Sequence, residues 1–187
     1  MKYFSILCVF ILALSILAAQ KFLISNPLYR RKLTHLTIAP VFILVLHLQN
    51  PQTMIQKSFL ASLPFVSGIY FSIFGEKKLG LILYCLESAL LPFLSDNYET
   101  AVLLMVFGDG LAGFAPLFGA KTGRKTGTGS LLCFVGSVFV LIVKGKSFLK
   151  AVVIGGILSG LERISGYWDN LVLVLGALAC LKASEIF

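Results

Sequence analysis

Charge is what this chain has least of. Only 13% of its 187 residues are charged and 58% are hydrophobic, against about 25% charged in an ordinary globular domain. Histidine is almost absent, His35 and His47 being the pair, so a histidine-rich metal centre is excluded. The four cysteines, Cys8, Cys85, Cys133 and Cys180, stand singly in apolar runs with no CxxC spacing. That spacing offers no metal site, and the cysteines read as small core or lipid-facing residues. Acid is scarcer than base, 8 residues against 16, for a net charge of +8. In a polar chain that excess would suggest nucleic acid. At a mean hydropathy of +0.94 it reads instead as loop lysines and arginines meeting anionic headgroups, and no nucleic-acid partner is expected.

What the chain has is apolar runs, at about 3–19, 36–48, 58–74, 79–94, 100–118, 130–143, 149–161 and 170–185. Their number and spacing predict an all-α fold, a polytopic membrane helical bundle of about eight transmembrane helices, or seven if 149–161 is re-entrant. The expected domain is single, 1–187, with the lipid bilayer as its surroundings. A secretory signal over the first run is weighed and set aside, because Gln20-Lys21 makes a poor cleavage site. Lys21, Arg30–Lys32, Lys77-Lys78, Lys121–Lys125 and Arg163 fall in alternate loops. The positive-inside rule puts those loops, and an active site built from them, on the cytoplasmic face of a multi-pass protein. Lys144, Lys146 and Lys150 dissent.

One run is interrupted by Gly108-Asp109-Gly110, Phe118-Gly119 and Lys121-Thr122-Gly123-Arg124-Lys125-Thr126-Gly127-Thr128-Gly129-Ser130. A carboxylate at the centre of a membrane span costs about 2.5–3.5 kcal/mol and marks a functional candidate. Glycines bare the backbone amides, and the lysines and arginine add positive charge, which suits phosphate oxygens. Gly108, Gly110 and Gly113 spell GxGxxG, but no strand precedes them, so a dinucleotide fold is rejected. Gly119–Thr126 nearly spells a Walker A loop, with Arg124 in place of its second glycine, and is rejected on the same ground. Plain alternatives stay open: helix packing for the glycines, a structural ion pair for Asp109, a topology anchor for Lys121–Lys125. Two further clusters are Glu162-Arg163 with Asp169-Asn170, which also suit helix capping, and Arg31-Lys32-Leu33-Thr34-His35. His35 beside three cations suits phosphate or acid–base work, whereas His47 reads as structural.

Together these clusters resemble the CTP-dependent lipid-alcohol kinases: phytol kinase, dolichol kinase and the yeast-type diacylglycerol kinase, relatives of the membrane phosphatidate cytidylyltransferases. The resemblance covers about residues 30–180. It rests on Arg31, Lys32 and His35; on Gly108, Asp109, Phe118 and Gly119; on Lys125, Thr126, Gly129 and Ser130; and on Glu162, Asp169 and Asn170. Departures are a short loop before Lys125, Thr128 where Glu or Ala is usual, and Trp168 in place of a second Asp.

The resemblance implies transfer of the γ-phosphoryl group of CTP, or another nucleoside triphosphate, to a lipid alcohol of polyprenol, phytol or diacylglycerol type. Asp109, Lys125, Glu162, Asp169 and His35 are the expected catalytic residues. Asp109, Glu162 and Asp169 supply oxygens suited to Mg²⁺. Lys121, Arg124, Lys125, Thr126, Gly129, Ser130, Asn170, Arg31 and Lys32 are the expected nucleotide contacts, consistent with a reaction that is mostly positioning and charge neutralisation. Two alternatives remain: a CTP-dependent phospholipid cytidylyltransferase, whose Asp-Arg string is missing here, and a small transporter of anionic solutes. The oligomeric state is open, a homodimer being one arrangement.

Overall fold

The computed structural model describes residues 97–120, 125–165 and 168–186, together with Ser15, Leu33, Leu36, Leu90 and Phe93. Among the described residues four α-helices follow one another: α1 (Tyr98–Ala112), α2 (Gly127–Val143), α3 (Phe148–Ile164) and α4 (Asp169–Ile186), with a 3₁₀ turn at Ala115–Phe118 between the first two. The apolar runs at 3–19, 36–48, 58–74 and 79–94 lie outside the described residues, apart from those isolated positions.

Local chemistry sets the ends of these helices. Pro116 lies in the first turn of the 3₁₀ segment, and Gly119 closes it at φ 80°. The interrupted run therefore breaks where proline denies an amide to the ladder. Thr126 caps α2 by accepting the Gly129 amide on its hydroxyl at 3.1 Å, the arrangement that makes threonine a good N-cap. At its far end Gly145 adopts φ 76°, and the Lys146 amide reaches back to the Leu141 carbonyl at 2.9 Å. That left-handed turn releases the chain into α3 within four residues.

The helices run antiparallel, α1 beside α2 and α4, and α3 beside α2 and α4. Ala101, Leu104, Cys133, Leu141, Ala151, Leu158, Leu173, Ala177 and Leu181 form the shared core. One end of the bundle is laced by polar contacts. Asn97 donates to Glu185 at 2.6 Å, Lys144 pairs with Glu99 at 3.2 Å, and Lys150 donates to the Ser184 carbonyl at 2.9 Å. The dissenting lysines Lys144–Lys150 thus sit at the opposite end from Lys125, Glu162 and Asn170.

Glycine sets the helix spacing. A methyl group on Gly136 would lie 2.8 Å from the Phe107 carbonyl oxygen, and one on Gly155 would lie 2.8 Å from Val138 Cγ2. Backbone cannot yield as a side chain does. Gly136→Ala is expected to destabilise the fold by about 1–3 kcal/mol. Gly156→Ala, which meets nothing within 4 Å, is expected to stabilise α3 by about 0.5–1 kcal/mol. Chemical denaturation of the two variants checks both signs.

Two expectations are corrected here. Among the described residues no helix is long and apolar enough to cross a membrane. The polytopic bundle of about eight transmembrane helices, the multi-pass localisation and the cytoplasmic-face assignment built on them are therefore overturned. The reason is visible helix by helix. α1, α2 and α3 have 15, 17 and 17 residues, or at most about 26 Å at 1.5 Å per residue, short of a hydrocarbon core of about 30 Å. α4 reaches 18 residues but carries Asp169, Lys182 and Glu185. The helices extend into polar flanks that the apolar runs leave out. The stretch 149–161 is not re-entrant but part of a continuous helix.

Candidate functional site

The end of the bundle away from Asn97 gathers the chemistry. Glu162 lies in the last turn of α3 and is buried, 3% exposed. Its Oε1 accepts from Lys125 Nζ at 2.6 Å, and its Oε2 accepts from Ser130 Oγ at 3.3 Å. Charge-assisted bonds of this kind are the strong ones. Lys125 immediately precedes the Thr126 cap, so the start of α2 delivers the ammonium to α3. Ser130 Oγ also contacts the Thr126 carbonyl at 3.3 Å, and Ser165 Oγ donates to the Glu162 carbonyl at 3.1 Å. Glu162 is thus no helix-capping surface acid: both of its oxygens are engaged from α2.

Asp109, the other buried acid, is 5% exposed in the last turn of α1. Its neighbour Gly108 packs on α2, where an added methyl would lie 3.1 Å from Cys133 Sγ. Cys133 itself is fully buried. Burial pushes its thiol up to about 12; the charges of Glu162 and Asp109 also raise it, while Ser137 and the Lys125 charge oppose them. The thiol is expected to ignore maleimide at pH 8 in the folded protein and to react on unfolding, since only a thiolate attacks. Its pKa rises on folding from an ordinary 9.0. The folded chain holds that proton more tightly, so stability is intact below pH 9 and falls as pH climbs through about 12. Denaturation across that window checks the sign, with Cys133→Ala flattening the slope.

The remaining expected residues divide in three. Asn170 is buried, 5% exposed, in the first turn of α4. Asp169 opens that helix, and its side chain lies outside the described residues. Arg31, Lys32, His35, Lys121 and Arg124 also lie outside them. Leu36, which follows His35 in the chain, packs on Gly110, which follows Asp109: an added methyl on Gly110 would come within 2.7 Å of Leu36 Cδ2.

Thr126, Gly129 and Ser130, expected to turn amides or hydroxyls to a ligand, bond to one another and to Glu162 in this structure. The Gly129 amide is held by Thr126 Oγ1, the Ser130 amide by the Thr126 carbonyl at 3.0 Å, and the Ser130 hydroxyl by Glu162 and Thr126. The amides with no carbonyl of their own helix to reach are those of Gly127 and Thr128, at the positive end of its dipole. Among the described residues no three His, Cys, Asp or Glu side chains group to hold a metal ion. The Asp109 and Glu162 carboxylates are hard oxygens of the right kind for Mg²⁺, and Glu162 would take a metal ion by yielding its Lys125 or Ser130 contact.

Sequence reasoning misses Ser159, Ser137 and the role of Cys133. Ser159 Oγ donates to the Ser130 carbonyl at 2.8 Å, and no motif announces it. No known protein family, curated protein or solved structure matches this chain.

Proposed function

We propose that this chain transfers the γ-phosphoryl group of a nucleoside triphosphate, CTP by the resemblance, to the hydroxyl of a lipid alcohol. The observation that carries the reading is the Lys125–Glu162–Ser130 contact, with Asp109 the buried acid of α1. Phosphoryl transfer needs cations on the phosphate oxygens and acids to hold a metal or orient the acceptor. Lys125 and the Gly127 and Thr128 amides serve the first need, Asp109 and Glu162 the second. Mg²⁺, when bound, neutralises charge on the triphosphate, and those two carboxylates are the residues that would hold it.

The surface beside the site supports the choice of acceptor. Leu131, adjacent to Ser130, is 60% exposed, and Val135 and Phe139 follow at intervals of four residues, 51% and 58% exposed. This apolar stripe runs from the site along α2. It suits a hydrocarbon chain whose hydroxyl ends at the cluster.

Lys125→Ala tests the nucleotide half of the reading. Calorimetric affinity for CTP is expected to fall about thirtyfold, or about 2 kcal/mol, the worth of a charge-assisted bond to phosphate. Unchanged affinity would return Lys125 to a purely structural ion pair.

A further inference from the structure

We infer that Ser159 is a positioning residue that sets the α2–α3 register on which the Lys125–Glu162 contact depends. The inference rests on the phosphotransferase reading for its kinetic arm and on geometry alone for its structural arm. Gly155, Ser159 and Glu162 lie at spacings of four and three along α3, so they share one face. Each meets α2 one step further toward its start. Gly155 faces Val138 and the Phe134 carbonyl, where an added methyl would lie 2.8 and 3.4 Å away. Ser159 Oγ bonds the Ser130 carbonyl at 2.8 Å. Glu162 then meets the Ser130 hydroxyl at 3.3 Å and the Lys125 ammonium at 2.6 Å.

Sliding contacts cannot hold such a line. Gly155 is a smooth spot that permits close approach without fixing register, and the flexible Lys125 side chain does not by itself hold Glu162 at one height. Ser159 is the directional tie in between. Its hydroxyl must find one carbonyl on the first turn of α2, and that turn carries both the Thr126 cap and the Ser130 hydroxyl. With the tie in place, Glu162 is presented to both donors at once. Without it, the helices keep their apolar contact and lose the fixed height of Glu162 against Lys125. Small misplacements of a reacting group reduce rate steeply, about a hundredfold for 1 Å.

The test compares Ser159→Ala, Ser159→Thr and Ser159→Val. Threonine and valine have the same shape, and only threonine keeps the hydroxyl. In the alanine and valine variants kcat is expected to fall about ten- to a hundredfold, with nucleotide KM held within about twofold and the threonine variant near wild type. In parallel, the ¹H–¹⁵N signal of the Lys125 ammonium, protected by its bond to Glu162, is expected in wild type and Ser159→Thr. It should broaden beyond detection in Ser159→Ala and Ser159→Val. Thermal melting shows that each variant is folded. Threonine and valine variants behaving alike, or an alanine variant with an intact ammonium signal, would overturn the assignment. A wild-type protein that turns over no nucleotide would sink the phosphotransferase reading, and the ammonium signal would still decide the role of Ser159.

Discussion

Asparagine in place of Asp109 is expected to reduce phosphoryl transfer by about three orders of magnitude, the scale seen when a preorganised electrostatic group is removed. The substitution keeps the side chain's size and most of its hydrogen-bonding capacity, and removes the charge. Asp109 is 5% exposed in the last turn of α1, where its backbone is fixed by Gly108 against Cys133 and by Gly110 against Leu36. Helical content and melting should therefore persist while turnover collapses. A fully active asparagine variant would show that the carboxylate is not part of the chemistry. A variant that is inactive because it no longer melts cooperatively would mark Asp109 as a structural acid.

The second large effect is on stability. Lys125→Met leaves the Glu162 carboxylate, with a side chain 4% exposed, without its cation. Breaking a buried pair from one side costs about 3–5 kcal/mol. The Lys125 side chain is 29% exposed, so water offsets part of this and about 2–3 kcal/mol is expected. Adding Glu162→Gln to the same protein removes the orphaned charge and should recover most of the loss. The double-mutant cycle thus gives a coupling of the same order as the single effect. Additive losses would mean that the two side chains do not act on one another in solution. Ser130, which holds the other oxygen of Glu162 at 3.3 Å, sets what remains in the lysine variant.

The positions of the helices were legible in the runs of apolar residues. Runs at 130–143 and 170–185 became helices at 127–143 and 169–186, and the run at 100–118 became α1 and a 3₁₀ turn broken near Pro116. Their surroundings were misread. A hydropathy run counts apolar side chains and says nothing of what they touch. In α2, Val140 and Leu141 are buried in the helix cluster while Phe139 and Ile142 are exposed. The polar residues that shorten or interrupt the apolar stretch, such as Glu162, are inside the helices rather than beyond them. The site was half legible. A charged residue in an apolar run is conspicuous, so Asp109, Lys125 and Glu162 stood out. The thiol and the two serines did not. Cys133 and Ser137 are fully buried and Ser159 bonds the Ser130 carbonyl of the neighbouring helix, placements that a single sequence does not display. A threonine followed by glycines suits a phosphate loop and a helix cap equally, and in this structure Thr126 caps α2 through the Gly129 amide.

The most direct test of the central claim follows the label. Purified protein is incubated with Mg²⁺, CTP carrying ³²P at the γ position, and a panel of polyprenol, phytol and diacylglycerol acceptors, with Asp109→Asn beside it. The expected result is ³²P in the lipid phase for at least one acceptor, CDP in stoichiometric amount, and neither product from the asparagine variant. With phosphatidate as a further acceptor, pyrophosphate and a lipid without ³²P would make the chain a cytidylyltransferase. CTP left intact with every acceptor would contradict phosphoryl transfer altogether.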